Sequence, residues 1–266
     1  MSTGSMNTDA TGPTVPARAA FQLTGLTKRF GDLTAVDAVD LSIPVGSFYG
    51  LVGPNGAGKT TLLSMAVGIF RPDAGTSNVV GFDVWKSPVE AKTALGVLPE
   101  SDFLPRRLTG AELLTSVGLL RGIAPDVVAE RVEELLRVLD LVDASGTVVA
   151  DYSTGMRKKI ALAVALLHGP KVLVLDEPLE SVDPVSASTI RTILRGFTSG
   201  GGTVLFSSHV MPLVEALCDH VAILSAGRIV AAGTLDEVRA GRSLDEAFAE
   251  QIGSDPFEET LSWFTS

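Results

Sequence analysis

The sequence predicts an α/β fold: a largely parallel sheet with helices on both faces. Three observations predict it. Gly53-Pro54-Asn55-Gly56-Ala57-Gly58-Lys59-Thr60 fits the phosphate-loop spacing G-x-x-x-x-G-K-[ST]. Residues 171–175 form an apolar run closed by Asp176 and Glu177, the pattern of a buried parallel strand. Beyond it, strand 171–175, helix 184–197, strand 203–207, helix 210–217 and strand 220–225 alternate. Such alternation builds a parallel sheet. Ligands sit at the carboxyl ends of its strands, which is where the Gly-rich loop, Asp176 and Ser207 fall.

Each element has a local reason. Residues 1–20 are rich in Ser, Thr, Ala, Gly and Pro and read as a disordered tail. They lack a basic stretch followed by an apolar one, so they do not read as a signal peptide. Strands are expected near 21–26, 38–43 and 47–52. Helix 61–67 then follows the loop, giving the strand–loop–helix order that the motif requires. Residues 70–75, with Pro72 and Gly75, form a turn. Helical periodicity returns over 108–121 and 127–141, with Ala124-Pro125-Asp126 as a helix start. Glu133, Glu134 and Arg137 make helix-spaced charge pairs, the mark of a solvated face. Ala226-Gly227-Arg228 reads as a hairpin turn. Leu244, Phe248 and Ile252 mark one apolar helix face, and Phe257, Leu261 and Phe264 continue it. That face either packs on the core or meets a partner. No internal repeat is evident.

Composition sets bounds. The chain has 266 residues and is 45% hydrophobic, ample for one large domain with a lobe, or for two small ones. A net charge of −10 argues against a general nucleic-acid binder. The single cysteine, Cys218, allows no internal disulfide and reads as a buried thiol. No apolar stretch approaches the length that spans a bilayer.

The loop residues carry a definite chemistry. Glycines let backbone N–H groups surround phosphates. Lys59 reaches the β- and γ-phosphates, and the Thr60 hydroxyl binds Mg²⁺. The helix start adds its positive dipole end. A Gly-rich turn that binds nothing is the competing reading. Asp176, at a strand end, can hold Mg²⁺. Glu177 can reach an attacking water. Alone, the pair could equally be a solvated turn; beside a phosphate loop it reads as a site.

Further landmarks follow in order. Tyr152-Ser153-Thr154-Gly155-Met156 precedes a helical stretch at 157–167, about twenty residues before the acid pair. Ser181-Val182-Asp183 lies just after that pair, and Ser207-Ser208-His209 ends an apolar strand. In this order and spacing, over about residues 21–240, the chain resembles the ATP-binding cassette family. More narrowly it resembles the nucleotide-binding subunits of the multidrug and ABC-2-type export branch.

The resemblance implies a RecA-like P-loop NTPase core with an antiparallel β subdomain. It also implies a helical lobe inserted at about 102–150; the apolar periodicity beyond residue 240 separately predicts a helical extension over 241–266. It assigns roles by position. Gly53, Pro54, Asn55, Gly56, Ala57, Gly58, Lys59 and Thr60 would be Walker A, with Thr61 beside them. Asp176 would end Walker B and bind metal together with Thr60. Glu177 would orient or deprotonate water. Ser153, Thr154 and Gly155 match the signature that binds the γ-phosphate held by the opposite subunit. Asp183 matches the D-loop aspartate, His209 the switch histidine, and Phe30 the aromatic against adenine. Plainer readings stand beside these: Ser-Thr-Gly before a helix is an ordinary N-cap, His209 could be structural, and Phe30 could be core.

Three positions depart from the family pattern: Thr154 replaces a glycine, Met156 a common glutamine, and Glu100 the Q-loop glutamine. A carboxylate at Glu100 still offers Mg²⁺ a hard ligand. The resemblance thus implies ATP and Mg²⁺ as ligands. It implies a second nucleotide-binding subunit, identical or paralogous, and a separate membrane permease on whose cytoplasmic face the chain would sit. The alternatives are a soluble cassette ATPase in repair, translation or cluster assembly, and a regulator that hydrolyses little.

Overall fold

The computed structural model describes residues 19–99 and 104–252. Two antiparallel strands open the chain, β1 (Ala19–Phe30) and β2 (Leu33–Pro44). β3 (Phe48–Val52) leads into α1 (Lys59–Ala66). Next come β4 (Ala74–Val79), β5 (Phe82–Asp83), α2 (Pro88–Ala94) and β6 (Leu95–Leu98). A helical lobe follows, with α3 (Gly110–Leu120), α4 (Pro125–Val138) and a short 3-10 turn at Val149–Asp151. The second half runs α5 (Thr154–Leu166), β7 (Val172–Leu175), α6 (Pro184–Ser199), β8 (Thr203–Ser208), α7 (Met211–Leu217), β9 (His220–Ser225), β10 (Arg228–Thr234), α8 (Leu235–Arg239) and α9 (Leu244–Ile252).

The strands form two sheets. A six-stranded sheet has the order β10-β9-β3-β8-β7-β6 and is parallel except for β10. β3, β7 and β8 are buried along their whole length, as strands covered on both faces must be. A four-stranded antiparallel sheet has the order β2-β1-β4-β5. One core, built on Leu98, Leu114, Tyr152, Leu173 and Phe206, joins a face of the parallel sheet to the helical lobe. The other, built on Phe21, Leu26, Leu51, Leu62 and Val174, joins α1 and the antiparallel sheet. Phe48 and Phe206 meet edge to face at 5.6 Å, the orientation favoured by the ring quadrupoles.

The lobe has strong local signals. Thr109 and Glu112 form a complete capping box at the start of α3, and Pro125 opens α4. The two helices cross closely at Gly118, where a Cβ would lie 2.8 Å from Val128.

Element types agree with the sequence reading, and some boundaries move. β1 begins at Ala19, and Ala20 is buried, so strand pairing claims the last residues read as tail. Helix α5 starts at Thr154 rather than 157, because Ser153 supplies its cap. Leu244 is buried on α9 and Phe248 packs against the same core, so this part of the apolar face packs inward. Phe257, Leu261 and Phe264 lie outside the described residues. Cys218 is a free, buried thiol.

Candidate functional site

Three strand ends build the site. At the first, β3 turns through 53–58 into α1, and sterics dictate the glycines. A Cβ on Gly53 would sit 2.3 Å from the Leu224 carbonyl oxygen, and one on Gly58 2.4 Å from that of Ala35. Gly56 and Gly58 also have φ of 81° and 103°, where an L side chain is strained. No side chain caps α1, and a helix N-terminus of this kind favours an anion. Lys59 is 7% exposed. Its Nζ donates to the carbonyls of Gly53 (2.8 Å) and Pro54 (3.3 Å) and lies 3.8 Å from Glu177 Oε1.

At the second, β7 ends in Asp176 and Glu177, both buried. Asp176 N–H donates to the Leu98 carbonyl at 2.8 Å, which fixes this end against β6. Glu177 is left-handed, with φ 46°. The third end, β8, supplies Ser207-Ser208-His209. His209 Nδ1 lies 3.2 Å from Glu177 Oε1. Ser207 Oγ donates to Asp176 Oδ1 at 2.5 Å and accepts from Glu177 N–H at 2.9 Å. From the lobe side, Lys158 Nζ donates to the Glu177 carbonyl at 2.9 Å.

These groups converge on a cleft of about 560 Å³. Asn55, Gly56, Gly58, Lys59, Thr60 and Thr61 line one wall, Glu177 and His209 another, and Phe30 the rim. Phe30 is 49% exposed, with Lys28 Nζ 5.6 Å from its ring centre; it is available for stacking rather than core. Gly53 and Pro54 act through their carbonyls, and Ala57 is buried behind the loop. Asp176 opens on an adjoining hollow that shares Thr60 with the cleft. Thr60 hydroxyl and Asp176 carboxylate are hard oxygen donors, a set that suits Mg²⁺.

The remaining candidates assemble elsewhere. Ser153 caps α5, its Oγ accepting from Met156 N–H at 3.2 Å. Thr154 is the first helical residue, a conformation that a β-branched side chain allows. A Cβ on Gly155 would lie 2.6 Å from Asp183 Oδ2 and 2.7 Å from Ser186 Oγ, so Gly155 and Asp183 touch. Asp183 caps α6 by accepting from Val185 and Ser186 N–H. The Ser186 bonds hold its carboxyl below the usual carboxylate range. None of Ser153, Thr154, Gly155 or Asp183 lines the cleft. Glu100 lies outside the described residues. Lys158 escaped the sequence reading, and Ser207 was placed there at a ligand-facing strand end without a role of its own.

A family model described as ABC transporter matches residues 36–180. The chain is 37% identical over 243 residues to a daunorubicin resistance ATP-binding protein of Streptomyces coeruleorubidus, covering 90% of this chain and 77% of that one. It is 34% identical over 247 residues to a Nod factor export ATP-binding protein of Cupriavidus metallidurans, with coverages of 92% and 81%. Among solved structures, the ATP-binding subunit of an ABC transporter superposes with a TM-score of 0.81 at 27% identity, covering 87% of this chain and 99% of that one.

Proposed function

The chain belongs to the ABC transporter family, and from that premise we propose that it is the ATP-hydrolysing motor of an exporter, working as a head-to-tail pair beneath a separate membrane permease. Binding and hydrolysing ATP to power a membrane transporter is the family's activity. Relatives named for drug resistance and for Nod factor export support the outward direction. Among the described residues, no helix is long and apolar enough to cross a membrane, so the proposed route lies in a partner.

Lys59 and the loop N–H groups hold the β- and γ-phosphates, and Phe30 stacks on the base. Thr60 and Asp176, with Glu100 added from the sequence, hold Mg²⁺, which supplies charge neutralisation on the phosphates when bound. Glu177 orients or deprotonates the attacking water, and His209 fixes the Glu177 carboxylate and faces the γ-phosphate. The chemistry is thus positioning and electrostatic stabilisation.

One observation carries the pairing. The signature residues and Asp183 form a compact group outside the cleft that holds Lys59 and Glu177. A second copy turned head to tail would bring its signature to this cleft. Mixing a Lys59→Ala chain with a Gly155→Glu chain tests it. One composite site then stays intact, and phosphate release should exceed that of either variant alone. Full turnover by a protein held monomeric would refute the pairing.

A further inference from the structure

The role of Ser207 is not given by the nucleotide-site reading on which this inference rests. Ser207 sits on β8, parallel to β7 and one strand over from the acids. It is fully buried. Its single hydroxyl makes two bonds at once, donating to Asp176 Oδ1 and accepting from Glu177 N–H. A hydroxyl has one donor and two acceptor sites, so the arrangement uses its donor and one of its acceptor sites.

The two bonds have different consequences. The first fixes one carboxylate oxygen of Asp176. A donor on one oxygen restricts rotation of the whole carboxylate and thereby sets where its other oxygen points. The second bond holds the amide of a residue in an unfavourable conformation. Glu177 has φ 46° without being glycine, and such a backbone persists only where neighbours over-determine it. Ser207 binds the Glu177 N–H and Lys158 binds its carbonyl, so both ends of the residue are tied.

We propose that Ser207 is a positioning residue of the ATPase: its hydroxyl locks the metal-binding face of Asp176 and the left-handed turn that aims Glu177, coupling both acids to the strand that carries His209. Threonine keeps a hydroxyl that can make both bonds. Alanine removes a hydrogen bond to a buried carboxylate and one to a buried N–H.

The test measures nucleotide binding and turnover in Ser207→Ala, Ser207→Thr and wild type, with thermal melts as the fold check. ATP affinity in EDTA should agree within about twofold, because the phosphate loop is untouched. Added Mg²⁺ should tighten ATP binding in wild type and Ser207→Thr. In Ser207→Ala the Mg²⁺ needed for that gain should rise about tenfold, the loss expected for one charge-assisted hydrogen bond. Turnover at saturating Mg²⁺ should fall at least tenfold, with the KM for ATP nearly unchanged. A folded Ser207→Ala protein with wild-type Mg²⁺ dependence and turnover overturns the proposal. So does a variant whose EDTA-state binding falls as far as its turnover, since that marks general damage. If Ser207→Ala does not fold, Ser207→Thr decides alone: a folded protein that loses the Mg²⁺ response overturns it. Asp176→Asn separates the two levels of argument. It should abolish the Mg²⁺ response whatever Ser207 does; if it does not, the metal assignment itself is wrong.

Discussion

Glu177→Gln should make the protein bind ADP more tightly while nearly stopping turnover. Lys59 Nζ lies 3.8 Å from Glu177 Oε1, and both side chains are over nine-tenths buried. At an effective dielectric of 20, that separation corresponds to a gross attraction of about 4 kcal/mol. An incoming phosphate must displace this partner, and Glu177 then faces the phosphates as a like charge. The amide removes both penalties and keeps the shape. Rehydration and the carbonyls of Gly53 and Pro54 offset most of the gross figure, leaving about 1 kcal/mol, or roughly fivefold in affinity. ADP is the useful probe because it is not hydrolysed, so tighter binding cannot come from arrested turnover. Isothermal titration of ADP into wild type and Glu177→Gln reads the affinity, and phosphate release reads the chemistry. Release should fall at least about a hundredfold with loss of the group that orients water. Unchanged or weaker ADP binding would refute the electrostatic reasoning, and near-wild-type release would refute the role of Glu177.

Three other outcomes are expected. Gly58→Ala should lower stability by about 2 kcal/mol or more, because φ 103° and the Ala35 carbonyl at 2.4 Å both oppose a Cβ; a thermal melt should show it, together with weakened ATP binding. His168 should make the fold acid-sensitive: burial first, then the Arg121 charge, lowers its pKa to about 4. Since the folded value lies below the unfolded one, its stabilising share is complete above about pH 6.5 and is lost as pH falls towards 4. Melts at pH 7 and 4.5 should therefore show wild type losing more than His168→Gln, by about 1 kcal/mol once solvent screening is allowed for. Glu100→Gln should raise the Mg²⁺ needed for half-maximal ATPase if the carboxylate serves the metal; tighter ATP binding at fixed free Mg²⁺ would instead mean that it repels the phosphates.

What the sequence made legible was whatever one segment can state alone. The loop at 53–60 is contiguous, so eight residues spell both its turn and the phosphate chemistry proposed for it. The buried strands are apolar throughout, and Pro125 and the Thr109–Glu112 box announce their helices. The strand order was not legible. β8 and β7 are neighbours, and β3 lies between β8 and β9, a crossover pattern that local periodicity does not encode. Ser207 therefore read as part of a strand end, because its partners Asp176 and Glu177 sit about thirty residues earlier in sequence. Gly155 and Asp183 were each found in sequence, but their mutual contact was not. The boundary misses have a local cause: Ala20 is claimed by β1 through tertiary pairing that overrides its polar, small-residue neighbourhood.

The segment from Glu177 to Asp183 shows why those long-range partners matter. It contains two left-handed residues that are not glycine, Glu177 at φ 46° and Ser181 at φ 55°, each costing about 1–2 kcal/mol. Glycine at 177 would relieve the first but would remove the carboxylate, so chemistry and backbone ease conflict at that position. The surroundings resolve the conflict. Ser207 and Lys158 hold Glu177 from two sides, and Asp183 ends the segment by capping α6 against Gly155. One end of this short turn thus borders the cleft that holds Lys59, and the other abuts Gly155. Its geometry is imposed by strands and helices far away in sequence, which is the condition under which strained residues survive in a folded chain. These ties come from α5, β8 and α6 rather than from residues 53–60, so the placement of the acid pair rests on elements outside the motif that names it.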